Sequence, residues 1–142
     1  MENMAIVDAG PLIALFDKSD KYHVEVKEAL GKYRSQSRGK IITTWPVVSE
    51  AVYILADRVH LQAGLDFFAW IGNDGLEIFD FGKDHLPRVI NLQKKYSNVP
   101  MDFADATLVI VAQDLKADKV FTIDKDFLIY RILGKKHFKN LM

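Results

Sequence analysis

Residues 5–17 read AIVDAGPLIALFD, and the order of events in that stretch decides the architecture. Ala5, Ile6 and Val7 form a short apolar run that stops on Asp8. Gly10 and Pro11 read as a turn pair, and LIALF then carries the chain to Asp17. A buried strand feeding a short helix has this signature.

The same unit recurs along the chain. Residues 20–34, DKYHVEVKEALGKYR, have amphipathic helical spacing, with Gly31 weakening the end, and SQSRGK follows as a polar connection. IITTW reads as a second buried strand, and Pro46 suits the start of the helix VVSEAVYILADRV because proline has no amide hydrogen to lose there. A helix over LQAGLDFFAWI, the turn GNDG, a third strand in LEIFDF and a helix over KDHLPRVINLQKKY come next. PMDFADATLVIVAQDLKA forms a further helix, KVFTI a fourth strand, and the tail RILGKKHFKNLM offers a last edge strand. Strands alternating with helices predict an α/β fold: a three-layer α/β/α sandwich on a mostly parallel sheet of four or five strands with right-handed crossovers. The 142 residues fit a single domain, 1–142.

Composition narrows the chemistry. Lys plus Arg and Asp plus Glu stand at 19 each, so nucleic-acid contact has to come from local patches rather than a basic surface overall. The chain has no cysteine, which removes disulfides, thiolate zinc sites and cysteine nucleophiles together. The opening MENMAIVDAG has no basic leader with a long apolar core, and no later apolar run reaches spanning length, so a cytoplasmic protein with no membrane partner is expected.

In parallel α/β sheets ligands bind beyond the carboxyl ends of the strands. Two strands here end on acids, AIVD at Asp8 and VFTID at Asp124. Taken singly, each reads as well as an Asx turn or a helix cap; the fold rule, however, sends both to one rim. Glu50 lies about one turn into the helix after IITTW, bordering the apolar stripe of Val47, Ala51, Ile54 and Leu55, where a solvated boundary glutamate is the plain alternative. Asp102 and Asp105 open PMDFADATLV. Acids are stabilised in a first helical turn, so capping is one reading, but Asp105 directly precedes core residues and is the deeper of the two.

If Asp8, Glu50, Asp105 and Asp124 converge, their mutual repulsion decides what else belongs there. Two carboxylates about 4 Å apart repel by roughly 4 kcal/mol at an effective dielectric near 20. Four without a fixed cation would protonate or splay apart. Lys18 and Lys125 flank the acids on loops, and neither spacing suggests a buried ion pair. Oxygen ligands alone select a hard divalent ion, Mg²⁺ or Mn²⁺, and with it phosphodiester hydrolysis by an activated water.

VDAGPLIALFD, VVSEAVYIL, PMDFADATLV and VFTIDKDF stand in the order and spacing of PIN domains, and essentially the whole chain resembles that nuclease fold of VapC-type toxins. The resemblance implies a metal-dependent endoribonuclease whose acids map onto Asp8, Glu50, Asp105 and Asp124. Asp102, Asp126 and Thr122 lie beside the motif as candidates for water-mediated or hydrogen-bonded support. It also implies an RNA substrate, a cognate antitoxin in a VapBC-type pair, and a homodimer. Two basic runs could carry RNA: Arg34, Arg38 and Lys40 with Lys32, and Arg131, Lys135, Lys136 and Lys139; a solvated face is the commoner meaning of such runs.

His23, His60, His85 and His137 lack paired-ligand spacing, and Ser49 has no histidine partner at a triad spacing. No GxxxxGK[ST] or GxGxxG occurs. Phe67, Phe68 and Trp70 read as core, with part of the set available to a partner or dimer interface. A receiver-type signalling domain would need an acidic pair where the first strand offers only Asp8. A non-catalytic binding module on a PIN scaffold is the alternative function.

Overall fold

The computed structural model describes residues 3–142; Met1 and Glu2, part of the opening read above for a leader, lie outside them. Five strands, β1 (Met4–Val7), β2 (Lys40–Thr43), β3 (Glu77–Ile78), β4 (Lys119–Phe121) and β5 (Lys139–Asn140), form one sheet in the order β3-β2-β1-β4-β5. Every pairing is parallel. The edge strand expected in the tail is β5. Ala5, Ile6 and Val7 have no solvent exposure, as a strand covered on both faces requires.

Among the described residues, six α-helices cover the sheet: α1 (Ala9–Phe16), α2 (His23–Gln36), α3 (Trp45–Ile54), α4 (Leu61–Gly72), α5 (Leu86–Lys95) and α6 (Phe103–Leu115). The steps from β1 to β2 to β3 run one way, and the return to β4 runs the other. Right-handed crossovers then place α1–α4 and α5–α6 on opposite faces. α6 is the most deeply set, with every residue from Ala104 to Ala112 buried. Among the described residues, no helix is long and apolar enough to cross a membrane.

Boundaries differ from the sequence reading where side chains intervene. Gly10 and Pro11 lie inside the first turn of α1 rather than in a separate turn, because Asp8 caps the helix by accepting from the Ala9 amide at 2.8 Å. Proline costs nothing in a first turn, where its missing donor would have had no helical partner. α2 runs through Gly31 and two residues into the connection, to Gln36. α3 continues into a wider π-helical turn over Leu55–Val59. β4 stops at Phe121 instead of reaching Ile123, since the Thr122 hydroxyl takes the Asp124 amide at 2.9 Å and turns the chain out of the ladder.

The loops after β1 and β4 leave adjacent strands for opposite sides. The two strands pair Val7 with Phe121, and the Asp8 amide donates to the Phe121 carbonyl at 3.0 Å. This is the switch point of the sheet, where a crevice must open.

Candidate active site

The crevice is lined by Asp8, Glu50, Asp102, Asp105 and Asp124 together with Ala9, Gly10, Ile13 and Ile123, and encloses about 320 Å³. Carboxylate oxygens of Asp8, Asp105 and Asp124 lie within 4.8 Å of one another. Asp8 and Asp105 are buried, and Asp124 is exposed.

Each acid is held by its local fold. Asp8 follows β1; one oxygen caps α1 and the other accepts from the Thr122 hydroxyl at 3.0 Å. Asp124 follows β4 and accepts from the Asp126 amide at 2.9 Å, capping a short 3₁₀ turn over Lys125–Leu128. Asp102 is the N-cap of α6 and accepts from the Asp105 amide at 2.8 Å. The two acids of α6 therefore divide the work: Asp102 caps the helix, and Asp105, freed from capping, points into the crevice. Asp105 takes its own hydrogen bond from the Tyr130 hydroxyl, at 3.1 Å. Glu50, exposed on α3, lines the crevice without joining the mutual 4.8 Å set. Thr122 meets both Asp8 and the Asp124 amide, and Asp126 supports Asp124 through its backbone.

The electrostatics are those of anions crowded without a counter-charge. Burial pushes the Asp8 carboxyl up to about 6, against the Ala9 amide and Thr122 hydroxyl that favour its charged form, and Asp124 and Glu50 add repulsion. Burial pushes Asp105 up to about 8, reinforced by Asp102 and Asp8 and opposed by the Tyr130 hydroxyl. Glu50 is raised by partial burial and by Asp102 and Asp124. Asp126 is raised as well, by desolvation and then by Asp124 and Asp102. Burial and the neighbouring Asp105 hold the Tyr130 phenol protonated, so it donates. Among the described residues, the ion pairs of Lys, Arg and His go elsewhere, to Glu77 and Asp114. A dense set of oxygen donors with no cation partner fits a hard divalent ion.

Several residues of the basic runs fall at the edge of the sheet away from the acids. Lys40 opens β2 opposite Met4, and Lys139 opens β5 opposite Lys119, so both sit at the amino edge of the sheet while the acids sit at the carboxyl edge. Arg34 is engaged with the Gly75 carbonyl and the face of Trp70, and Arg38 precedes β2 at the same amino edge. Arg131 folds back onto the carbonyls of Leu128, Ile129 and Tyr130. Lys135 and Lys136 are exposed on the turn leading to β5. Phe67 is fully buried and Phe68 is 47% exposed, so the aromatic set is divided as expected. Of the histidines, His60 caps α4 and His23 meets the Ala14 carbonyl.

Tyr130 was invisible to the sequence reading. It sits in FLIYRIL, which reads as an apolar run; its one distinguishing sign is a phenol in a core segment a few residues after a strand-ending acid.

Comparison with known proteins gives the same architecture. The family described as PIN domain matches residues 5–133. Ribonuclease VapC26 of Mycobacterium tuberculosis is 25% identical over 134 residues, covering 94% of this chain and 96% of that protein. Among solved structures, the sarcin-ricin loop cleaving toxin VapC20 of M. tuberculosis superposes with a TM-score of 0.77 at 17% identity, over 87% of this chain and 92% of that one. VapBC2 from Rickettsia felis, solved bound to a DNA fragment from its promoter, gives 0.65 at 15% identity, over 96% and 98%.

Proposed function

The chain belongs to the PIN-domain family, and on that premise we propose that it is a Mg²⁺- or Mn²⁺-dependent endoribonuclease, the toxin of a VapBC-type pair. The observation that carries this reading is the convergence of Asp8, Asp105 and Asp124 oxygens within 4.8 Å, two of the three acids buried and none neutralised by a basic side chain among the described residues. Such a set is stable in its charged form only around a cation.

In this proposal Asp8, Asp105 and Asp124 hold the ion directly, and Glu50 stands at the crevice wall, where it orients the attacking water. A divalent ion bound there supplies Lewis acidity, activating water and stabilising charge that develops on the phosphate and leaving oxygen. The chain's contribution is position. Thr122 fixes the Asp8 carboxylate, the 3₁₀ turn fixes Asp124, and Glu50 has no hydrogen bond among the described residues that would keep it from accepting a proton. Asp102 keeps the crevice anionic beside Asp105, which disfavours binding of RNA phosphates until a cation is present.

The substrate class we propose is an unpaired RNA strand, whose splayed nucleotides, as in a loop, leave phosphates and base edges open to a protein. That VapC20 cleaves the sarcin-ricin loop makes that loop the first substrate to try. A VapB-like antitoxin and a second copy of the chain are the expected partners, and the cytoplasm the expected compartment. The test is cleavage of a loop-containing RNA with Mn²⁺ by the parent and by Asp105→Asn, both checked for equal folding. Cutting by the parent alone supports the nuclease; an inert parent, or an unchanged variant, leaves the non-catalytic binding module as the reading.

A further inference from the structure

Tyr130 is fully buried and its hydroxyl donates to Asp105 Oδ2 at 3.1 Å. Its ring cannot swing away. Tyr96 packs against it at 5.1 Å with a 67° interplanar angle, and Phe127 at 5.2 Å with 76°. Edge-to-face contacts of this kind fix a ring's tilt as well as its place. Tyr96 is itself held, its hydroxyl accepting from the Arg131 amide at 2.9 Å, and the next residue is tied to α6 by Gln113, which donates to the Ile132 carbonyl at 2.6 Å.

One short segment thus touches all three converging acids. Thr122 donates to Asp8, Asp124 belongs to the segment, and Tyr130 closes it on Asp105. We propose that Tyr130 is a positioning residue for metal binding: its clamped phenol fixes the plane of the Asp105 carboxylate so that the oxygen not bonded to it faces Asp8 and Asp124. The inference rests on the metal-dependent nuclease reading and adds to it a residue from outside the acidic motif. The constraint on Asp105 is rotational. Asp105 lies in a first helical turn, where nothing in the backbone sets its second torsion, and an aspartate free about that bond presents its oxygens to the crevice only part of the time. Groups that orient metal ligands in this way typically change metal affinity or activity by about 10–100-fold when removed.

The test uses the full chain and reads binding apart from turnover. Tyr130→Phe keeps the ring and its packing while deleting the hydroxyl. Mn²⁺ affinity, measured by calorimetric titration, is expected to weaken about tenfold or more. In RNA cleavage kcat at fixed Mn²⁺ is expected to fall, KM for RNA to hold, and added Mn²⁺ to restore the rate. Tyr33→Phe is the control, since it removes a hydroxyl from another buried ring, one that donates to Asn3 at 3.0 Å and takes no part in the clamp, and it is expected to bind Mn²⁺ like the parent. Parent-like Mn²⁺ affinity in Tyr130→Phe overturns the inference alone, as does an equal loss in Tyr33→Phe, which would trace the effect to the loss of any buried hydroxyl rather than to the contact with Asp105. A parent that neither binds Mn²⁺ nor cuts RNA overturns the nuclease reading and the inference together.

Discussion

At the scale of single residues, the crevice is a set of acids whose charged forms are destabilised by their own neighbours. Asp8 and Asp105 are raised to about 6 and about 8, chiefly by burial. An acid raised in the native state keeps its proton there after the unfolded chain has lost it. Between about pH 4, the ordinary aspartate range, and about pH 8 for Asp105, the native state holds more protons, and stability falls as pH rises. Urea unfolding in a chelator should therefore show a metal-free protein that weakens across this window; a flat or rising profile would contradict it. Asp105→Asn removes the larger part of the slope, so at pH 8 without metal the variant should be at least as stable as the parent while losing cleavage. Thr122→Val should act in the opposite sense. It leaves the Asp124 amide and one Asp8 oxygen without their partner, at a cost of about 1–3 kcal/mol at neutral pH, readable as a lower urea midpoint with an unchanged slope.

At the scale of elements, the site depends on how α3 and α6 are joined. The Thr107 hydroxyl donates to the Ala104 carbonyl at 2.7 Å, which spends its one proton. The buried 2.7 Å contact with Thr44 must then run from the Thr44 hydroxyl to Thr107. This pair clips the residue that precedes α3, the helix of Glu50, to α6, the helix of Asp105. Thr107→Val preserves shape and strands the Thr44 hydroxyl, so unfolding should become easier by about 1–3 kcal/mol. The elements themselves were legible because their apolar periods and punctuation agree with the fold. Asp8, Asp105 and Asp124 were legible for a related reason: acids at strand ends and helix starts occupy one rim of any parallel sheet. Glu50 was harder, since a helical period places it at a boundary and cannot say how far its side chain stands from the others. Tyr130 was hidden, because nothing local distinguishes a phenol that donates to an acid from one that merely packs. The basic runs were legible as runs and not as positions. Lys40 begins a strand and Asp8 follows one, which in a parallel sheet already puts them at opposite edges, but like charges grouped in sequence drew attention to number rather than to edge.

At the scale of the whole molecule, the parallel register puts Lys40 and Lys139 at the amino edge of the sheet and the clustered acids at its carboxyl edge. If RNA meets the protein at the carboxyl edge, the amino-edge cations are too far away to guide it. Arg38→Gln combined with Lys139→Gln should leave kcat/KM for RNA within about twofold, whereas a loss on the order of tenfold, about 1.4 kcal/mol, would place substrate across both edges. Repulsion at the carboxyl edge also couples the ion to folding of the entire chain. An ion that binds only the native state stabilises it by about 2.7 kcal/mol at a hundred times its dissociation constant, and for a domain of this size each kcal/mol moves the melting temperature by roughly 3–5 °C. Protons compete for the same oxygens, so the gain must depend on pH. At pH 5 both Asp8 and Asp105 are largely protonated, and Mn²⁺ has to displace those protons; at pH 8 Asp8 has released its own, and Asp105 is about half ionised. Melting curves at one Mn²⁺ concentration should therefore show a larger upward shift at pH 8 than at pH 5, and Asp105→Asn should lose most of the shift at both. Equal shifts at the two pH values would mean that the ion binds away from these carboxylates, and the site would have to be sought elsewhere on the chain.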